Sequence, residues 1–190
     1  MKAFKLSIWG SLLFLMACST DVPPSDLVRY VHQKDHGLIK SKTIGDLQFD
    51  LQYKPLDYLI AQELRTDELV EQAYADRLED LKGLQYYNLR MSVPRLPQRN
   101  ITNYQVYDDE AQQQRLYYLS FGFKEHLRLI QGRDTLRPVL YHFERSYDLA
   151  PHHTFVVAFK ETDPDHTQDK TFVVDSPVWP TGPVKFRIRE

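Results

Sequence analysis

The segment Tyr141–Tyr147 concentrates side chains that could carry out acid–base chemistry. It places an imidazole at His142 and a carboxylate at Glu144, and Asp148 follows directly after it. Groups of these types, held close together, can transfer protons or bind a polar ligand. The sequence therefore marks His142, Glu144 and Asp148 as the candidate polar site. It also leaves open an enzyme that uses Glu144 and Asp148.

The motifs that activate a nucleophile or hold a phosphate are missing from the sequence. There is no G-x-S-x-G or S-x-x-K motif, and the single cysteine is Cys18. The chain has only seven glycines, and none of them forms a phosphate-binding loop. We therefore expect neither a peptidase nor a nucleotide-dependent enzyme, and no cofactor.

The seven histidines invite a metal interpretation, but their spacing does not favour it. His152 and His153 are adjacent, so on a strand they point to opposite faces. Asp163–Asp169 places carboxylates at alternate positions, as a calcium loop does, yet Gln168 stands where the EF-hand pattern needs glycine. We predict surface or hydrogen-bonded histidines, a solvated hairpin loop over Asp163–Asp169, and no metal.

The N-terminus has the pattern of an exported protein. Met1–Lys5 carries two lysines and no acid, and Leu6–Ala17 is a twelve-residue, almost wholly apolar run. That run is shorter than the roughly 20 residues that a membrane-spanning helix needs, and it suits a signal peptide. Residues 1–17 are therefore predicted to be a signal peptide.

The run ends at Leu15-Met16-Ala17-Cys18, which resembles the lipobox of bacterial lipoproteins. The resemblance implies that Cys18 receives a diacylglycerol, that the chain is cut before it, and that the new N-terminus is acylated, for example with palmitate. Ser19, rather than Asp, implies transfer to the outer membrane. The alternative is an ordinary cleavage site that leaves Cys18 as a free thiol, but no A-x-A pattern lies nearby.

Several acyl chains on one residue hold a protein at a membrane almost irreversibly, because each buried CH₂ contributes about 0.8 kcal/mol. We therefore expect a cell-envelope protein anchored by lipid to the outer membrane, on its periplasmic face or at the cell surface. Residues 18–27 form the lipidated cysteine and a Pro-containing tether, which Pro23-Pro24 makes semi-rigid. Residues 28–190 are predicted to form one globular domain.

Composition argues against one class of partner. Removing residues 1–17 takes away Lys2 and Lys5, which leaves 22 basic residues against 26 acidic ones. A mildly acidic domain without a basic tract does not favour nucleic-acid binding. The expected partners are the membrane, through the N-terminal lipid, and another envelope protein.

Helices and turns dominate the first half of the domain. Leu47–Tyr53 alternates apolar and polar residues, and Gly45-Asp46 before it predicts a tight hairpin with Leu38–Ile44. Pro55 suits the first turn of a helix over Leu56–Leu64. A second helix is predicted over Asp67–Lys82, with Gly83 as its stop.

Strands dominate the second half. The predicted strands are Tyr87–Val93, Tyr117–Phe123, Leu127–Ile130, Leu136–Phe143, Phe155–Phe159, Phe172–Val174 and Val184–Ile188, with a short helix over Asp108–Arg115. The apolar phase slips at Pro138, which indicates a β-bulge on an edge strand. Phe155–Phe159 is apolar on both faces and is therefore predicted to be central.

This order of elements predicts an α+β fold. Its core is a mainly antiparallel β-sheet, a sandwich or half-barrel, with two or three helices in the N-terminal half. The lipid anchor, the tether and the absence of reactive motifs together favour a non-catalytic accessory or docking module of an envelope complex. The alternative is a binding protein for an apolar or carbohydrate ligand. A filled core with an exposed apolar patch would favour docking, and a large closed cavity would favour the ligand.

Overall fold

We describe the protein from a computed structural model, which covers residues 38–64, 71–96, 98–145, 150–165 and 167–188. The described residues contain nine strands: β1 (Ile39–Ile44), β2 (Leu47–Lys54), β3 (Leu84–Ser92), β4 (Leu127–Gln131), β5 (Asp134–Leu136), β6 (Leu140–Glu144), β7 (His152–Lys160), β8 (Lys170–Val174) and β9 (Val184–Ile188). They also contain three α-helices: α1 (Leu56–Leu64), α2 (Glu71–Leu81) and α3 (Asp109–Tyr117).

All strand pairs are antiparallel, and the strands form two sheets. Sheet A has the order β1-β2-β3-β7-β6, and sheet B has the order β5-β4-β8-β9. The fold is therefore α+β with a mainly antiparallel sheet arrangement, which confirms the predicted fold class. The third helix, α3, falls just past the middle of the chain.

The first hairpin forms where the alternation predicts it. Ile44 pairs with Leu47 across a two-residue turn, and Gly45 has a φ of 60°. A positive φ at the first turn position is readily adopted by glycine and matches the twist of a hairpin. Phe49 and Leu51 are buried while Gln48 and Asp50 are half-buried, so the alternation places the apolar set on the core face.

The helix α1 has the predicted bounds, Leu56–Leu64. Its Tyr58 ring lies 5.6 Å from Nζ of Lys54, a residue on the face of sheet A opposite to Phe49 and Leu51. This contact places α1 over the outward face of sheet A. The outward-facing Gln52 is also buried, which the alternation alone did not predict.

The predicted strand Leu136–Phe143 is wrong as a single element. Asp134–Leu136 belongs to sheet B, whereas Leu140–Glu144 belongs to sheet A. The chain crosses between the sheets at Pro138. Proline has no backbone N–H, so it cannot donate a hydrogen bond to a neighbouring strand. Val139 N–H donates to Ala158 O at 2.9 Å, and Ala158 is paired with Leu140, so the chain joins sheet A at Val139 and does not bulge at Pro138 within a single strand as predicted.

The predicted strand Tyr117–Phe123 is also wrong. The short helix predicted over Asp108–Arg115 exists as α3, and it continues into a π-helix, Tyr118–Gly122, and a 3₁₀-helix, Phe123–His126. Aromatic residues favour strands on propensity. Here helical spacing prevails, because Leu119 and Phe123 both become fully buried on one side of the turn.

The two sheets enclose one hydrophobic core. Facing rings fill the space between them: Phe159 lies 5.7 Å and Tyr87 lies 5.5 Å from Phe172 of sheet B, between centroids. Phe123 lies 4.8 Å from Phe155 and therefore closes the core from the helical side. Truncating one such ring to alanine typically costs about 3–5 kcal/mol, so these contacts fix the distance between the sheets.

The loop that joins β7 to β8 carries the chain from sheet A to sheet B. The hairpin predicted over Asp163–Asp169 is therefore wrong. Asp163 is buried, and its carboxylate accepts hydrogen bonds from Thr167 Oγ1 at 2.8 Å and from Gln168 N–H at 2.7 Å. These bonds shape the loop from within.

Candidate docking groove at a sheet edge

An open groove of about 530 Å³ lies between the edge strand β6 and the π-helix that follows α3. Ser120, Phe121 and Lys124 form the helical wall. The other wall is lined by Pro138, Val139, Tyr141, His142, Phe143 and Arg145. We call this feature the β6 groove. It contains the first part of the segment in which the sequence placed the candidate polar site.

The helical wall is built by a well-capped helix. Asp108 Oδ1 accepts a hydrogen bond from Ala111 N–H at 2.7 Å, and Asp109 and Glu110 occupy the first turn. Both features stabilise the N-terminus of α3. The helix then widens into the π-helix, and such segments frequently occur at functional sites.

Two side chains fix the strand against this wall. The Tyr141 hydroxyl donates to the backbone oxygen of Leu119, and Arg145 Nη2 donates to Ser120 Oγ at 3.0 Å. Burial raises the pKa of the Tyr141 hydroxyl, so that hydroxyl remains a donor at physiological pH. The two walls are thus held at a defined separation.

Apolar side chains are exposed on both sides of the groove. Phe121 is 59% exposed and Val139 is 62% exposed. Tyr117 lies one helical turn before Phe121, with 5.2 Å between the ring centroids, and Leu140 follows Val139 on the strand. Clustered exposed apolar groups of this kind mark interaction sites more often than isolated ones do.

The β6 edge differs from the other sheet edges among the described strands. β1 and β9 carry lysine and arginine, and β5 has only three residues. Each of these devices discourages pairing with another strand. β6 carries one acid, Glu144, and no lysine or arginine, and it presents its free edge beside Phe121 and Val139.

The charges that line the β6 groove are basic. Lys124 and Arg145 contribute a cation to each wall, and none of the described lining residues is acidic. Glu125, the nearest acid in sequence to Lys124, forms an ion pair with Arg137 at 2.9 Å. The groove therefore combines a free strand edge, apolar contacts and positive charge.

The candidate polar site is only partly brought together. His142 and Glu144 are both exposed on the outward face of β6, two residues apart. Glu144 lies close enough to Lys54 for its charge to raise the pKa of that lysine, against a larger lowering by burial. Asp148 lies outside the described residues, and so does Cys18.

Sequence reasoning missed Ser120, Phe121 and Lys124 because it placed a strand over Tyr117–Phe123. One signal could have revealed the helix. Leu116, Leu119 and Phe123 recur at helical spacing, directly after the polar stretch that was predicted to be helical. That spacing would have put Phe121 and Lys124 on the exposed side of the turn.

Two negative findings concern the described residues alone. No group of three or more His, Cys, Asp or Glu side chains in them could hold a metal ion. None of the helices in this part of the chain is long and apolar enough to span a bilayer.

The described residues form a two-sheet α+β fold in which the β6 groove lies along an edge strand. Comparison with protein-family models, with curated proteins and with solved structures gives no match to this chain.

Proposed function

We propose that this protein is a lipid-anchored envelope lipoprotein whose folded part is a non-catalytic docking module. Its occupant is an extended segment of a partner envelope protein, bound along the β6 groove. The single observation that carries the proposal is the exposure of Phe121 and Val139 on facing walls beside the free edge of β6.

The chemistry of the groove specifies the segment. A free strand edge binds an extended chain by adding it to the sheet through main-chain hydrogen bonds. Phe121 and Val139 offer apolar contacts for alternate side chains of that segment. Lys124 and Arg145, with no acid among the described lining residues, favour a segment that carries carboxylates.

The alternative, a binding protein for an apolar or carbohydrate ligand, would need an enclosed site. Buried rings occupy the space between the sheets, and the β6 groove is open. These two observations favour docking of a chain segment over enclosure of a small apolar molecule.

The experiment is site-specific photo-crosslinking in cells. A photoreactive phenylalanine analogue is placed at position 121, at position 139, or at the control position 107, where Tyr107 is 90% exposed outside the groove. We expect one crosslinked species shared by positions 121 and 139 and absent at 107. Peptide mapping of that species should find an extended segment that contains acidic residues.

Charge reversal supplies the second arm. Lys124→Glu should reduce the crosslink at position 121 by roughly tenfold, because a favourable charge contact becomes a repulsive one. Lys82→Glu, at an exposed lysine beyond the end of α2, is the matched control. If positions 121 and 139 label no common species, or if Lys124→Glu leaves labelling unchanged, the docking function is wrong.

A further inference from the structure

A second groove, of about 570 Å³, lies where an edge of sheet A meets an edge of sheet B. β1 contributes Lys40 and Lys42, and β9 contributes Lys185 and Arg187. Thr171 of β8 adds a hydroxyl between them. We call this feature the β1–β9 seam. It lies on strands that take no part in the β6 groove.

The two lysines of β1 point toward the interior side of their sheet. Lys40 is paired with Leu51 and Lys42 with Phe49, and paired residues of antiparallel strands project from the same face. Phe49 and Leu51 are core residues. Consistent with this direction, Lys42 Nζ lies 5.7 Å from the ring centroid of the buried Phe186.

The two cations of β9 lie beside them. Lys185 and Arg187 alternate with the buried Val184, Phe186 and Ile188, so both are exposed on the outward face of sheet B. Thr171 is paired with Arg187 and therefore shares that face. Four cations from two sheets thus line one groove.

No described carboxylate neutralises this set. None of the described residues that line the seam is acidic, and none of the four cations forms an ion pair with a described residue. This concentration occurs in a chain whose net charge is −2. The charge of the seam is therefore opposite in sign to the net charge of the protein.

Protection of the strand edges does not by itself account for the arrangement. A single charge is enough to discourage an edge strand from pairing with another chain. Charges of opposite sign on the two strands would protect both edges and would also attract each other. Four like charges instead repel one another, and a bound anion removes that repulsion.

We propose that the β1–β9 seam binds a phosphate group with a net negative charge, borne by a lipid headgroup or present as free inorganic diphosphate. Arginine binds phosphate through its planar fork, and lysine binds it as a point charge. The Thr171 hydroxyl supplies a further donor. The site does not depend on the β6 groove, so each can fail without the other.

The test is lysine acetylation footprinting of the full chain in a neutral detergent, read by mass spectrometry. The probes are inorganic diphosphate, and micelles doped with phosphatidylglycerol or, as the neutral control, phosphatidylcholine. A ligand at ten times its Kd leaves roughly one tenth of the sites free. Acetylation of Lys40, Lys42 and Lys185 should therefore fall about tenfold, while Lys82 and Lys160 should react as before.

The pattern of protection identifies the source. Protection by both probes supports a general phosphate site, protection by phosphatidylglycerol alone supports a headgroup site, and protection by diphosphate alone supports a soluble anion. If neither probe protects the seam, or if Lys82 and Lys160 are protected equally, the proposal is overturned.

The second measurement uses a variant that retains Lys40, Lys42 and Lys185, so that their acetylation can still be followed. Arg187→Gln should raise the concentration needed for half-protection by about tenfold, since it removes one charge-assisted contact. Arg133→Gln changes an exposed arginine in the turn between β4 and β5 and should leave that concentration unchanged. Equal behaviour of the two variants would also overturn the proposal.

Discussion

Nζ of Lys170 lies 3.5 Å from Oε2 of Glu161, and the side chains are only 2% and 13% exposed. The ammonium also lies 6.0 Å from the ring centroid of Tyr53. Glu161 Oε1 accepts a hydrogen bond from Asp163 N–H at 2.8 Å. This ion pair therefore connects the first strand residue of β8 to the loop that crosses between the sheets.

Removing the lysine from this pair should be strongly destabilising. Lys170→Ala leaves Glu161 without its cation in a poorly solvated place, and we expect a loss of about 3 kcal/mol in the free energy of unfolding. Urea unfolding, followed by fluorescence, measures it. The control is Lys160→Ala, at an exposed end of β7, which should change stability by about 0.5 kcal/mol or less. Equal losses of stability in the two variants would mean that the Lys170–Glu161 ion pair contributes no more to stability than an exposed lysine does.

The period-two alternation of β2 makes a paired prediction. Leu51 is 1% exposed, so Leu51→Ala should cost about 2–5 kcal/mol as a truncation in the core. Asp50 is half-buried and accepts from Gln48 Nε2 at 2.9 Å, so Asp50→Ala should cost about 1 kcal/mol or less. Chemical denaturation of both variants gives the comparison, and similar values would contradict the assigned faces.

Asp163 should make stability depend on acid pH. Burial raises the pKa of its carboxyl, but hydrogen bonds from Thr167 and Gln168 and the charge of Lys170 outweigh it, so the pKa lies below its ordinary 3.8. A lowered pKa contributes stability that is fully present above pH 3.8 and is lost as the pH falls below that value. Asp163→Asn should therefore melt at a lower temperature than the native protein at neutral pH.

The two melting temperatures should converge as the pH falls below 3.8, because the native carboxyl is then protonated as well. Thermal melts across an acid pH series measure this convergence. A constant difference across the series would show that the carboxylate charge is not what stabilises the loop.

The docking function predicts which groove residues matter. Replacing His142, Glu144 and Asp148 by Gln, Gln and Asn should leave photo-crosslinking at position 121 within about twofold of the native level, because glutamine keeps a polar side chain at the groove-lining position 142 and docking needs no titratable group. Phe121→Asp should reduce crosslinking at position 139 by at least roughly tenfold, because it removes an apolar anchor. If the triple variant folds but loses the crosslink, binding depends on a polar site in Tyr141–Tyr147 and not on the apolar side chains of the groove.

The lipobox resemblance predicts the maturation of the chain. Cys18→Ala should leave an unprocessed precursor, because the thiol that accepts the diacylglycerol is gone. The native protein should begin at an acylated Cys18. Mass spectrometry of the membrane fraction distinguishes these forms, and normal processing of the variant, or a native Cys18 with a bare thiol, would refute the assignment.

Local sequence patterns predicted those elements that neighbouring residues alone determine. The hairpin of β1 and β2 follows from period-two alternation and from Gly45 at the turn. The helix α1 follows from Pro55 and the end of that alternation. In each case neighbouring residues alone supply the physical cause, so no distant contact was needed to predict the element.

The candidate site could be predicted only in part. The sequence directed attention to Tyr141–Tyr147, and β6 does line the groove. It could not supply the opposite wall, because Phe121 and Lys124 lie about 20 residues earlier in the chain, in a stretch whose aromatic content suggested a strand.

Tertiary structure decided the remaining questions. Leu136 and Leu140 lie in different sheets because the chain crosses at Pro138, and no local pattern states which sheet a strand will join. The same holds for the β1–β9 seam, where Lys40 and Arg187 lie almost 150 residues apart in sequence. The sequence by itself determined which residues alternate, turn and cap, because those are short-range effects. Packing of the buried rings decided which edges meet, because burial of apolar surface depends on the whole chain.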